Sequence, residues 1–157
     1  MVTNNVLNDI QEAIARIAFE AVRAIQYIME SEKGINDKVN ANTLVDSDIY
    51  NQIEYNVDDK FLIDILINSY IDNIESGRKP FAKRVPIEDL IIWCNKKGIQ
   101  AGNGIVYAIQ DSIYKFGISP RPIMVYAFER WDEMWNQSWA DEITNEILAP
   151  ITDFFNN

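Results

Sequence analysis

The sequence predicts an α+β fold: a long N-terminal amphipathic helix packed on a small antiparallel β-sheet, followed by an αα-hairpin and a C-terminal helical segment. Three observations predict it. An apolar stripe keeps helical period from Ile10 to Met29. Two stretches of alternating side chains, between Asp48 and Ile67, flank a polar turn. Two short helical patterns then each close on a glycine, Gly98 and Gly117. Helices following strands, with no repeated strand–helix unit, indicate helices laid on one face of an antiparallel sheet. The length, 157 residues, fits one domain over residues 1–157, with a Trp-rich extension from about residue 124.

The first element is the most strongly patterned. Ile10, Ile14, Ile17, Ala21, Ala24 and Ile28 recur at helical spacing, and Ala18, Val22, Ile25 and Met29 widen the stripe. Asn5 or Asn8 is the expected cap, Asp9 and Glu12 suit the positive end of the helix dipole, and Gly34 is the expected stop. A helix from about Asn5 to Ser31 spans roughly 40 Å at 1.5 Å per residue. Its stripe is wide enough to lie across a sheet, with a coiled-coil seam as the alternative.

Residues 35–47 are polar, Asn-rich and aperiodic, and read as a loop. Asp48 to Val57 alternates weakly through Ile49, Ile53, Tyr55 and Val57. A polar turn, Val57-Asp58-Asp59-Lys60, leads into Phe61, Ile63, Ile65 and Ile67 on one face of a second strand. Tyr70, Ile71 and Ile74 are read as a short third stretch. Ser76 to Val85 has no period, is punctuated by Gly77 and Pro80, and reads as an exposed, mobile loop. Pro86 opens a helix whose inner face is Ile87, Leu90, Ile91 and Cys94. Asn103 is the expected cap of the next helix, with Val106, Ile109, Ile113 and Phe116 inward. Ser119-Pro120-Arg121-Pro122 breaks the chain before a helical stretch from Ile123, and Pro150 is expected to break the last segment, Ala140 to Phe155.

Composition excludes several functions. The chain has no histidine, which removes Ser-His-Asp and Cys-His catalysis and the usual zinc sites. Its one cysteine, Cys94, sits in an apolar helical stretch and reads as a small buried hydrophobe. The acidic neighbours Asp46 and Asp48, Asp58 and Asp59, and Asp72 and Glu75 lack a Gly-centred calcium loop and read as solvated turns. No catalytic residue, cofactor or metal is therefore expected. The first ten residues hold no Lys, no Arg and no apolar core, so no secretory leader is expected. No apolar run reaches the roughly 18 residues of a membrane span. A net charge of −10 opposes wrapping nucleic acid, which needs cationic side chains, but suits a channel wall along which DNA slides without sticking.

Two features point to contacts with other molecules. Arg78, Lys79, Lys83 and Arg84 place four of the fourteen basic residues within seven positions, with Phe81 among them as an apolar anchor. This segment is expected to dock on an acidic neighbour or on DNA, with a merely solvated loop as the alternative. Trp131, Trp135 and Trp139 follow one another at i,i+4 spacing beside Tyr126 and Phe128. Three tryptophans on one ridge fit a subunit interface, which favours Trp and Tyr, with the core as the alternative. An acidic body with one basic arm makes a head-to-tail contact that can close on itself.

The order of these elements, together with certain phrases, resembles the neck and tail-completion proteins that connect head to tail in tailed bacteriophages. Tyr70-Ile71-Asp72-Asn73-Ile74-Glu75-Ser76-Gly77-Arg78-Lys79-Pro80 is similar to that family's passage, Tyr followed by Ile or Val, Glu, Ser or Phe, Gly, Arg or Thr, Lys or Arg, and Pro. A Trp-containing short helix, Ile87 to Lys97, a Lys97-Gly98-Ile99 turn and a second helix ending Lys115-Phe116-Gly117-Ile118 follow in the family's order. Pro120-Arg121-Pro122-Ile123 then stands where the family has a Pro-containing phrase before its C-terminal helix. The resemblance covers about residues 5–135. The Asn/Ile-rich composition and the Trp-rich extension depart from the siphovirus members and look more like ring proteins of crAss-like gut phages. The resemblance implies a structural virion protein, made in the host cytoplasm. It would form a homo-oligomeric ring, of twelve copies in preference to six, between portal or adaptor and the other neck and tail proteins. Genomic DNA would pass through it without sequence-specific contact. An acidic DNA mimic that inhibits a host enzyme is the alternative.

Overall fold

The computed structural model describes residues 4–31, 44–45 and 47–156. Its elements in chain order are α1 (Asn4–Ser31), α2 (Asp48–Asn51), β1 (Glu54–Val57), β2 (Ile63–Leu66), α3 (Ile71–Ser76), α4 (Ile87–Lys96), α5 (Asn103–Phe116), α6 (Ile123–Met134), a π-helical turn (Trp135–Trp139) and α7 (Ala140–Asn156). The chain is a mixed helix and sheet protein, as its patterning predicts. It divides into two compact units: a body of Met1–Ile71 with Pro122–Asn157, and an insert, Asp72–Arg121.

In the body, α1 is the spine. Ile14, Ile17, Ala18, Ala21, Val22, Ala24, Ile25 and Met29 are buried, and Ile10 and Ile28 lie half-buried at the stripe's margins. A face this wide needs two covers. The β1–β2 hairpin packs against it from one side, and α6 and α7 pack along it too. Ile17, Ala21 and Trp139 form a buried cluster on which Ile65, Trp131, Met134 and Ile143 pack. Asn5 and Asn8 both fall inside α1, so Asn8 caps nothing. Gly34, Asp46 and most of the polar stretch 35–47 lie outside the described residues.

The strands pair antiparallel, with Tyr55 opposite Ile65 and Val57 opposite Ile63. The turn between them is built by Asp58, whose carboxylate accepts the Lys60 and Leu62 N–H groups at 2.8 Å. That carboxylate is occupied by backbone, as in an Asx turn. The first strand is shorter than its alternation predicts, because Asp48–Asn51 forms a helical turn that buries Ile49. Gln26 and Glu30 of α1 hold this turn: Gln26 donates to the Tyr50 carbonyl at 3.1 Å, and the Tyr50 hydroxyl donates to Glu30. The third stretch is not a strand either. Asn68 accepts the Tyr70 N–H at 2.9 Å and starts α3, which buries Ile71 and Ile74 at i,i+3 spacing.

In the insert, α4 and α5 form the expected αα-hairpin. Leu90, Cys94 and Val106 are its buried centre, ringed by Val85, Ile87, Ile91, Ile99, Ala101, Ile109 and Ile113. Pro86 stands at the start of α4, and Gly117 ends α5 with φ +70°. Two expectations fail here. Gly102, not Asn103, occupies the cap position of α5, and Phe116 is 77% exposed, past the end of the buried stripe. At the C-terminus α7 runs through Pro150 without breaking; one missing N–H removes a single helical hydrogen bond from a 17-residue helix.

Candidate assembly surfaces

The basic segment is not a free loop. Its base is a clasp of two chain segments 40 residues apart: Arg78 N–H donates to the Ile118 carbonyl and Ile118 N–H to the Arg78 carbonyl, both at 2.8 Å. Each side is preceded by a glycine in the left-handed region, Gly77 at φ +64° and Gly117 at φ +70°. A methyl group on Gly77 would run into the Ile118 carbonyl oxygen, and one on Gly117 into the Arg78 carbonyl oxygen, so only glycine lets the two strands approach.

Beyond the clasp the segment lies along α5. Phe81 N–H donates to the Tyr114 carbonyl at 2.7 Å, and the Gln110 carboxamide donates to the Val85 carbonyl at 2.7 Å. The Phe81 ring meets Tyr114 edge-on, with centroids 5.6 Å apart, and the Arg84 guanidinium lies 4.4 Å above the same ring. Arg84 and Lys115 each reach Asp111 at 2.8 Å. The hydrogen bond from Lys115, then that from Arg84, holds the Asp111 carboxyl below the ordinary carboxylate range. Arg78 donates to the Lys83 carbonyl across the loop. Of the expected contact residues, Arg78 and Arg84 are therefore committed to building the loop. Lys79, Lys83 and Phe81 are presented outward, Phe81 with 71% of its surface exposed. Where an open loop is expected, the clasp and the α5 anchors give the backbone of this segment named partners.

The three tryptophans do not share one ridge. Four α-helical steps overshoot a full turn by about 40°. The π turn, which closes i→i+5, holds more than four residues per turn and falls short of one. Trp139 therefore swings back over Trp131, and Trp135 stays outside. Trp139 is 5% exposed and its indole N–H donates to Glu20 at 2.6 Å. Trp131 is half-buried and donates to the Ala21 carbonyl at 3.0 Å. Both belong to the α1 contact, which corrects their placement on an outer ridge. Trp135 is exposed, in line with Phe128 and Val125 on the outer side of α6.

Charge is divided between the two units. The insert holds eight Lys and Arg against five Asp and Glu, a net of +3, while the body holds six against nineteen, a net of −13. Among the described residues no three acidic or cysteine side chains gather as a metal-holding group, and no helix is long and apolar enough to cross a membrane. Cys94 is fully buried. The sequence pattern places Phe128 in the aromatic cluster but gives no sign of the α5 anchors Tyr114, Gln110 and Asp111. The only sequence signal for the clasp is the recurrence of glycine before Arg78 and before Ile118. Comparison with protein-family models, curated proteins and solved structures finds no match.

Proposed function

We propose that this chain is a structural subunit without catalytic role, which closes with copies of itself into a ring at the head–tail junction of a tailed bacteriophage. The ring, of twelve copies or alternatively six, joins portal or adaptor to the tail and lets the genome pass along a wall that does not bind it. The observation that carries this reading is the clasp. The Glu-Ser-Gly-Arg-Lys-Pro and Lys-Phe-Gly-Ile phrases, by which the sequence resembles the neck and tail-completion family, meet in one structure that holds a basic, Phe-tipped loop outward. The division of charge supports self-assembly, since a +3 insert and a −13 body on one chain attract head to tail.

The many exposed large apolar residues fit the same reading, because a chain that works alone rarely leaves such surface open. The test is the mass of the purified chain at low and high salt. A ring subunit is expected to give one discrete multiple of 18.1 kDa at low salt and to dissociate as salt screens the attraction. An acidic mimic would instead remain a monomer at both and bind a nuclease through the body.

A further inference from the structure

Resting on the ring reading, we propose that the contact closing the ring is the Phe81 loop of one copy seated on the outer stripe of α6 of a second copy. The loop offers a preformed anchor. Phe81 adopts φ +62°, a region that bulky side chains avoid, and it does so while exposing most of its ring. The Tyr114 carbonyl and ring hold it there. An aromatic side chain fixed outward before binding loses little freedom on docking, which is what an interface anchor needs. Lys79 and Lys83 flank it, both exposed.

The matching surface is on the body. Val125, Phe128 and Trp135 follow at i, i+3 and i+10, an outward stripe on α6 and the turn after it. Phe128 is set edge-on to Trp131, with centroids 5.1 Å apart, so its ring too has a fixed orientation. Glu129 and Asp132 lie on this same exposed side, and neither carboxylate makes an ion pair among the described residues. Charge selects the partner. Two stripes face to face would set acid against acid, and two loops would set base against base. Loop on stripe is the pairing that sets base against acid, and it is heterologous, so it propagates until it closes.

The experiment uses the full chain and two variants, Phe81→Gly and Trp135→Asp, measured by sedimentation at low salt. Phe81→Gly removes the anchor and relieves the backbone, so its thermal midpoint is expected to be unchanged or higher while assembly weakens at least 100-fold. Trp135→Asp is expected to lose assembly to the same degree with its circular dichroism retained. Mixed one to one, the variants should form a heterodimer and nothing larger, because one intact loop meets one intact stripe and both remaining faces are broken. A second pair, Lys79→Glu/Lys83→Glu with Glu129→Lys/Asp132→Lys in the same chain, should restore the ring that either half abolishes, and it decides the matter if Trp135→Asp unfolds. A full-sized ring from either single variant overturns this contact while leaving the ring reading intact. Dimers of the loop variant alone overturn it in favour of a stripe-to-stripe contact. A wild-type chain that stays monomeric at every concentration overturns the ring reading with it.

Discussion

Trp139→Ala is expected to destabilise the body by about 3–5 kcal/mol, the usual cost of emptying a buried aromatic site. The indole fills the cluster with Ile17 and Ala21, and Ile65, Trp131, Met134 and Ile143 pack around it. Trp139→Phe keeps most of the volume and loses the bond to Glu20, and is expected to cost about 1–2 kcal/mol. Trp135→Ala, four residues away but exposed, should stay within about 0.5 kcal/mol of wild type. Denaturant unfolding of the three variants checks this. Equal effects at positions 135 and 139 would contradict the π-turn placement.

Gly117→Ala is expected to cost about 3 kcal/mol, from a left-handed backbone position combined with a steric conflict. A methyl group there meets the Arg78 carbonyl and comes within 3.0 Å of the Pro80 nitrogen, and neither backbone group can turn aside as a flexible side chain would. The clasp should open, and amide exchange at Arg78 and Ile118 should rise together. Gly98→Ala is the control. It shares the positive φ, +68°, but has nothing within 4 Å, so it should cost only about 1–2 kcal/mol and leave the clasp protected. If both substitutions behave alike, backbone preference alone explains Gly117 and the close approach has no consequence.

Much of the fold was legible because it is written in local periods. The α1 stripe keeps helical period from Ile10 to Met29, about five turns, which is too long to be mistaken for a strand. The α4–α5 hairpin is marked at its ends by Pro86, Gly98 and Gly117. Where the pattern misled, it was ambiguous in physical terms. Ile49 and Ile53 are four apart, a spacing that fits both a strand's period of two and a helix's of 3.6, so a helical turn was read as strand. The π turn has no side-chain signature, and a single tryptophan ridge requires an uninterrupted α-helix. The loop's partners are hidden for a different reason. Its basic, Phe-bearing composition is plain in the sequence, but its partners lie on α5 and at Ile118, and a pairing across 40 residues leaves no local period to read.

The head–tail assignment is tested most directly by a reconstruction of the neck of virions that carry this chain. The expected result is an axial ring between portal and tail in which every repeated subunit holds the α1 body and the α4–α5 insert, each fitted by itself, with each Phe81 loop against the next copy. Absence of the chain from purified particles, or its presence away from the head–tail axis, would contradict the account.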